Sequence, residues 1–87
     1  MKTFLKNDAN TKVRILKPIL DDWNDTIEDT WTITKDGDGG RVTIHRTDKQ
    51  DRHLHGSLAM AIAGICEAYD WVWAIYHDEE MGLHVRI

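Results

Sequence analysis

Cysteine is nearly absent from this 87-residue chain: Cys66 stands alone. One cysteine can form neither an intramolecular disulfide nor a paired-thiolate zinc site, so the fold must rest on its core. Such usage is expected of a reducing cytoplasm. Serine is as scarce, with Ser57 alone, and it lacks the GxSxG setting of a hydrolase nucleophile. No apolar run approaches the roughly 20 residues that span a bilayer. The opening MKTFLKNDANTK has no apolar h-region and no cleavage pattern, so neither a secretory signal nor a membrane partner is expected. Walker, GxGxxG and HExxH motifs are missing too.

What is present suits one globular domain over residues 1–87, with 41% hydrophobic and 30% charged residues and a net charge of −4. The charge is unevenly spread. Residues 1–17 carry five cations against one acid, and residues 18–40 carry one cation against seven acids. The acids gather at Asp21, Asp22, Asp25, Glu28 and Asp29, and again at Asp78, Glu79 and Glu80.

The most periodic stretch is LHGSLAMAIAGICEAY, residues 54–69. Leu54, Leu58, Ile62, Ile65 and Tyr69 recur at steps of three and four, which lines one face of an α-helix. Its start lies near Asp48, where Thr47 and Gln50 have capping-box spacing, or later with Ser57 as the cap. Before it, Thr30 to Thr34 alternates, Asp36-Gly37-Asp38-Gly39-Gly40 breaks, and Arg41 to His45 alternates again, as in a β-hairpin. Trp31 and Ile33 should share a face with Val42 and Ile44, with the threonines and His45 turned away.

After the helix, Trp71, Trp73 and Ile75 alternate with Val72, Ala74 and Tyr76. Both sets are apolar, which suits an inner strand or an edge strand covered by a partner. Asp78 to Gly82 turns the chain, and Leu83 to Ile87 forms the last strand. At the N-terminus, MKTFLK reads as a strand, Asn7 to Asn10 as a turn, and Val13, Ile15 and Leu16 as a second extended piece. A short helix follows from Pro18 to Ile27 or does not form, since Asn24, Asp25 and Thr26 are weak helix formers. The expected class is α+β: an antiparallel sheet of four to five strands, from two hairpins plus an N-terminal strand, with one main helix across one face.

Five histidines, His45, His53, His55, His77 and His84, invite a metal reading, with His77 and His84 facing each other across the last hairpin beside Asp78, Glu79 or Glu80. No ligand spacing supports it, so neither a cofactor nor a metal is expected. Lys12, Arg14 and Lys17, and then Arg41, Arg46, Lys49 and Arg52, form basic stretches, but direct nucleic-acid binding conflicts with the acidic total. Four tryptophans exceed what a core this small buries easily, so one or two should be partly exposed. Trp23 sits among acids, and an aromatic anchor ringed by negative charge suits docking on another macromolecule. The small side of the helix, Gly56, Met60 and Gly64, packs on its own sheet or supports a homodimer.

The leading expectation is a non-enzymatic, acidic binding protein that inhibits a protein partner with a basic surface, such as a nucleic-acid-binding complex. Its site would be Asp21, Asp22, Trp23, Asp25, Glu28, Asp29, Asp78, Glu79 and Glu80. By size and lack of motifs the chain resembles phage and mobile-element accessory proteins that inhibit host machinery, including anti-CRISPR-type inhibitors. The alternatives are a small metal-dependent or hydrolytic enzyme using the histidines, and a nucleic-acid-binding module.

Overall fold

The computed structural model describes residues 8–37, 39–48 and 53–87. Its elements run α1 (Ala9–Ile27), β1 (Trp31–Asp36), β2 (Arg41–Arg46), α2 (Gly56–Tyr69), β3 (Ala74–Asp78) and β4 (Gly82–Arg86). The four strands make one antiparallel sheet in the order β1-β2-β4-β3. Both helices join the core on one face, which gives a two-layer α+β fold.

The first hairpin has the expected register, with Ile33 opposite Ile44 and Thr34 opposite Thr43. Gly37 and Gly40 take positive φ in its turn, where a β-carbon would be strained. On the covered face Val42, Ile44, Leu83 and Val85 are buried beneath Leu16 and Leu20 of α1 and Leu58, Ile62 and Cys66 of α2. The buried stripe of α2 thus follows Leu58, Ile62 and Cys66, with Leu54 buried just before the helix cap, while Ile65 and Tyr69 pack at its margin. Trp31 and Trp71 are buried, and Trp23 and Trp73 are half-buried.

The N-terminal half differs from expectation. Residues 13–16 are helical rather than extended, because α1 already starts at Ala9 with Asp8 as its cap. The Asp8 carboxylate accepts from the Thr11 backbone N–H at 2.7 Å, so Asp8, read as part of a turn at 7–10, is a cap, and Ala9 and Asn10 are helical; residue 7 lies outside the described residues. Pro18 does not open the helix but lies inside it. It is exposed, so the carbonyl freed four residues back can turn to water, and burial of Leu16 and Leu20 offsets the cost of about 3 kcal/mol. The fold therefore has two helices, and α1, which lies along β1, is the longer. The strand expected at MKTFLK lies outside the described residues.

Helix α2 begins at the later of the two expected places, with His55 rather than Ser57 as cap. The His55 Nδ1 accepts from the Ser57 backbone N–H at 3.1 Å, and its ring rests 5.1 Å from that of Trp23. Gln50 of the alternative capping box lies outside the described residues. The small side of α2 does not pack on the sheet: Met60 is 77% exposed, and Gly56 and Gly64 face open space.

Glu28 closes α1 in the left-handed region, at φ 56°. A glycine there removes a penalty of about 1–2 kcal/mol, against about 0.5–1 kcal/mol of extra freedom in the unfolded chain. Glu28→Gly should therefore raise the melting temperature slightly, as read by circular dichroism.

Candidate functional site

On α1, Asp21, Asp22, Asp25 and Glu28 are all exposed. Asp21 pairs with Lys17 at 3.0 Å one turn earlier, and both side chains are about 60% exposed, so this pair adds little stability. Asp22 and Asp25 lie one turn apart on α1, and Glu28 follows as its C-cap.

Beside them, α1 and α2 leave a cleft of about 200 Å³. Buried Leu58 and half-buried Ile19 and Trp23 supply its apolar part, and exposed Asp22, Thr26, Ser57 and Ala61 surround it. Trp23 is thus a wall of the cleft, not a protruding anchor, because its indole N–H is tied to Asp29 at 3.2 Å. Ile19, Ser57 and Ala61 escaped the sequence reading, since only the packing of two distant segments brings them together.

Asp29 is engaged within the fold. Its Oδ2 accepts from Trp23 and, at 3.0 Å, from the Trp31 indole N–H. Its Oδ1 accepts from the Thr30 backbone N–H at 2.9 Å and from the Arg46 guanidinium. Burial by itself would raise the Asp29 pKa. The bonds from Thr30, Trp23 and Arg46 outweigh burial and hold the carboxyl below its ordinary value of 3.8.

The second acidic group lies elsewhere. Glu79 and Glu80 are exposed at the β3–β4 turn, and Asp78 accepts from the Met81 backbone N–H at 2.6 Å. Strands β1, under α1, and β3 form opposite edges of the sheet, so the structure does not unite Asp78, Glu79 and Glu80 with the α1 acids.

The histidines do not converge either. The register sets His77 opposite Leu83 and His84 opposite Tyr76, which places the two rings on opposite faces. His84 is fully buried with Nε2 free of hydrogen bonds, and Asp78 stands 3.8 Å from it. Among the described residues, no three His, Cys, Asp or Glu side chains group as metal ligands. Cys66 is buried, and its thiol is pushed up to about 11 by that burial, so it is not a thiolate at neutral pH.

Of the basic stretches, Lys12 and Arg46 are used internally, while Arg14, Lys17 and Arg41 are exposed. Arg46 is 8% exposed and held by Asp29 and Asp48, and Lys12 donates to the carbonyls of Gly40 at 2.8 Å and Ile87 at 3.2 Å. Burial lowers the Lys12 pKa. Lys12, Arg41 and Arg86 do line a hollow of about 370 Å³ with Trp71, Trp73 and Tyr76, but Arg86 is parked 4.8 Å over the Tyr76 ring. Lys49 and Arg52 lie outside the described residues. Arg41 is therefore the exposed cation of its stretch among the described residues.

Among the described residues, no helix is long and apolar enough to cross a membrane. No protein family, curated protein or solved structure matches the chain, so side-chain geometry alone carries the functional reading.

Proposed function

We propose that this chain is a non-enzymatic binding module that takes a basic segment of a protein partner into the cleft between α1 and α2. The observation behind this reading is the apolar slot with Asp22 at its edge and Asp21, Asp25 and Glu28 exposed on the same helix. A lysine or arginine of the partner lays its aliphatic stem against Ile19, Leu58 and the Trp23 indole and turns its charge to Asp22. The remaining acids steer the encounter. Asp78, Glu79 and Glu80 take no part in this site.

Docking inhibits the partner where its basic surface would otherwise hold nucleic acid, which keeps the likeness to phage-type inhibitors as part of the proposal. A free buried thiol suits a cytoplasmic setting. The enzymatic alternative draws no support from Cys66, whose thiolate is suppressed.

The test is to capture partners from host lysate, then measure surface-plasmon kinetics with the purified partner. Asp22→Lys with Asp25→Lys should slow association roughly tenfold at low salt, and Ala61→Phe, which fills the slot, should speed dissociation. Wild-type binding should weaken as the Debye length shrinks from about 10 Å at 0.1 M salt to about 3 Å at 1 M. All three sites are exposed, so melting should stay within about 0.5 kcal/mol of wild type. Rates that ignore both variants would refute the cleft as the docking site.

A further inference from the structure

Strand β3 is an unprotected edge. Every residue of Ala74–Asp78 is exposed, and β4 is its neighbour on one side. Among the described residues no strand pairs with the other side. Alternate backbone N–H and C=O groups of such a strand point outward, ready to pair. Natural edges are blunted by lysine, proline or inward charge. Val72 to His77 contains no Lys, Arg, Asp, Glu or Pro. Its apolar side chains are bare as well: Val72 is 88% exposed, Tyr76 45% and Ile75 44%. Among the described residues α1 packs along β1 and β2, and neither helix packs closely on β3.

The charge layout selects the occupant. Asp78, Glu79 and Glu80 stand at one end of β3. At the other end, the register sets Arg86 beside Ala74. An antiparallel copy of the same strand brings its acidic end to this basic end, and two-fold symmetry repeats the match. A neutral or unrelated peptide offers no such pairing.

We infer that two copies of this chain pair β3 antiparallel to β3 about an axis through Tyr76, joining two four-stranded sheets into one. An axis normal to the sheet pairs residues of the same face, so it must lie midway between the two copies of one residue, which names the axis. Through Ile75, it sets Asp78 opposite Val72 of the other copy. Through Tyr76, it sets Asp78 opposite Ala74 instead. Ala74, Tyr76, Asp78 and Arg86 all share the face away from the helices. The small Ala74 then leaves open the space between Arg86 of one copy and Asp78 of the other. These lie two strand spacings apart, about 9.6 Å between backbones, which the guanidinium stem spans once it leaves its place over the Tyr76 ring. The ladder ends with Ala74 opposite Asp78, so Val72, just before the strand, flanks the other copy's acidic turn at Glu79 and Glu80.

Val72 supplies a test with two signs. Its exposure makes either charge harmless to folding. In sedimentation velocity of the full chain over a concentration series, Val72→Lys should tighten the dimer and Val72→Glu should loosen it. Each substitution acts twice across the axis, so each should shift the dissociation constant roughly two- to thirtyfold. Tyr76→Lys sets like charges at the axis and should yield monomers that melt cooperatively. A chain that stays monomeric even as Val72→Lys overturns the inference. So does a dimer whose affinity both Val72 variants leave unchanged or move in one direction. The edge is remote from the α1–α2 cleft, so the Val72 variants should capture partner like wild type, and either proposal can fail without the other.

Discussion

Ile62→Asp should abolish the cooperative thermal melt and leave an unfolded chain at room temperature. Ile62 has no exposed surface and sits in α2 among Leu58, Cys66 and the sheet's buried valines and isoleucines. A carboxylate there loses its hydration and meets no donor, a change that belongs with the largest single-site effects, above about 4 kcal/mol. Protonating it still leaves a polar group in an apolar site and a smaller side chain than the cavity needs. A domain of this length has only about 4–13 kcal/mol of stability to lose. Ala61→Asp is the matched control: one residue away on the same helix, it is exposed and should melt close to wild type. Equal melting of the two variants would mean that the buried face of α2 is misassigned.

The parts of this fold that were legible in the sequence are those with local signatures. The β1–β2 hairpin shows both its alternation and its Asp-Gly break, and the stripe from Leu58 through Ile62 and Ile65 to Tyr69 shows a helical period, although Leu54, read with it, lies before the helix. Helix α1 was hidden because β-branched Val13 and Ile15 imitate a short strand, and Pro18 imitates a helix start. Only the longer spacing Ala9, Val13, Leu16, Leu20 and Trp23 gives the helical face away, and those residues pack together in the structure. The reading of β3 as an inner or covered strand came from its two apolar faces. The strand instead starts at Ala74, runs through Asp78 and lies exposed at an edge of the sheet, which periodicity alone does not identify. The acids of α1 were visible as composition. Their division into exposed Asp21, Asp22, Asp25 and Glu28 and buried-side Asp29 was not, since it depends on Trp31 and Arg46 arriving from other elements.

Asp29→Ala should cost about 3–5 kcal/mol, the second largest effect expected in the chain. The carboxylate gathers the indole N–H groups of Trp23 and Trp31, the Thr30 backbone and the Arg46 guanidinium, so its removal strands several donors at once. The Arg46 side chain is only 10% exposed, and Asp48, itself 39% exposed, would remain its acidic partner. Leaving part of a buried charge unpaired costs more than the pair contributed. Arg46→Met, which removes that charge and keeps apolar bulk, should be milder than Asp29→Ala. Acid provides an independent check. The folded Asp29 pKa lies below its ordinary 3.8, so the unfolded chain takes up the proton first as pH falls. The stability this group contributes is therefore complete above about pH 4 and is lost on descending through the folded pKa. Wild type and Asp29→Ala should differ most near neutral pH and converge in strong acid, when urea midpoints are followed by tryptophan fluorescence. A gap that stays constant down to the lowest pH would show that the lost stability came from packing around Trp23 and Trp31 rather than from the charge of Asp29.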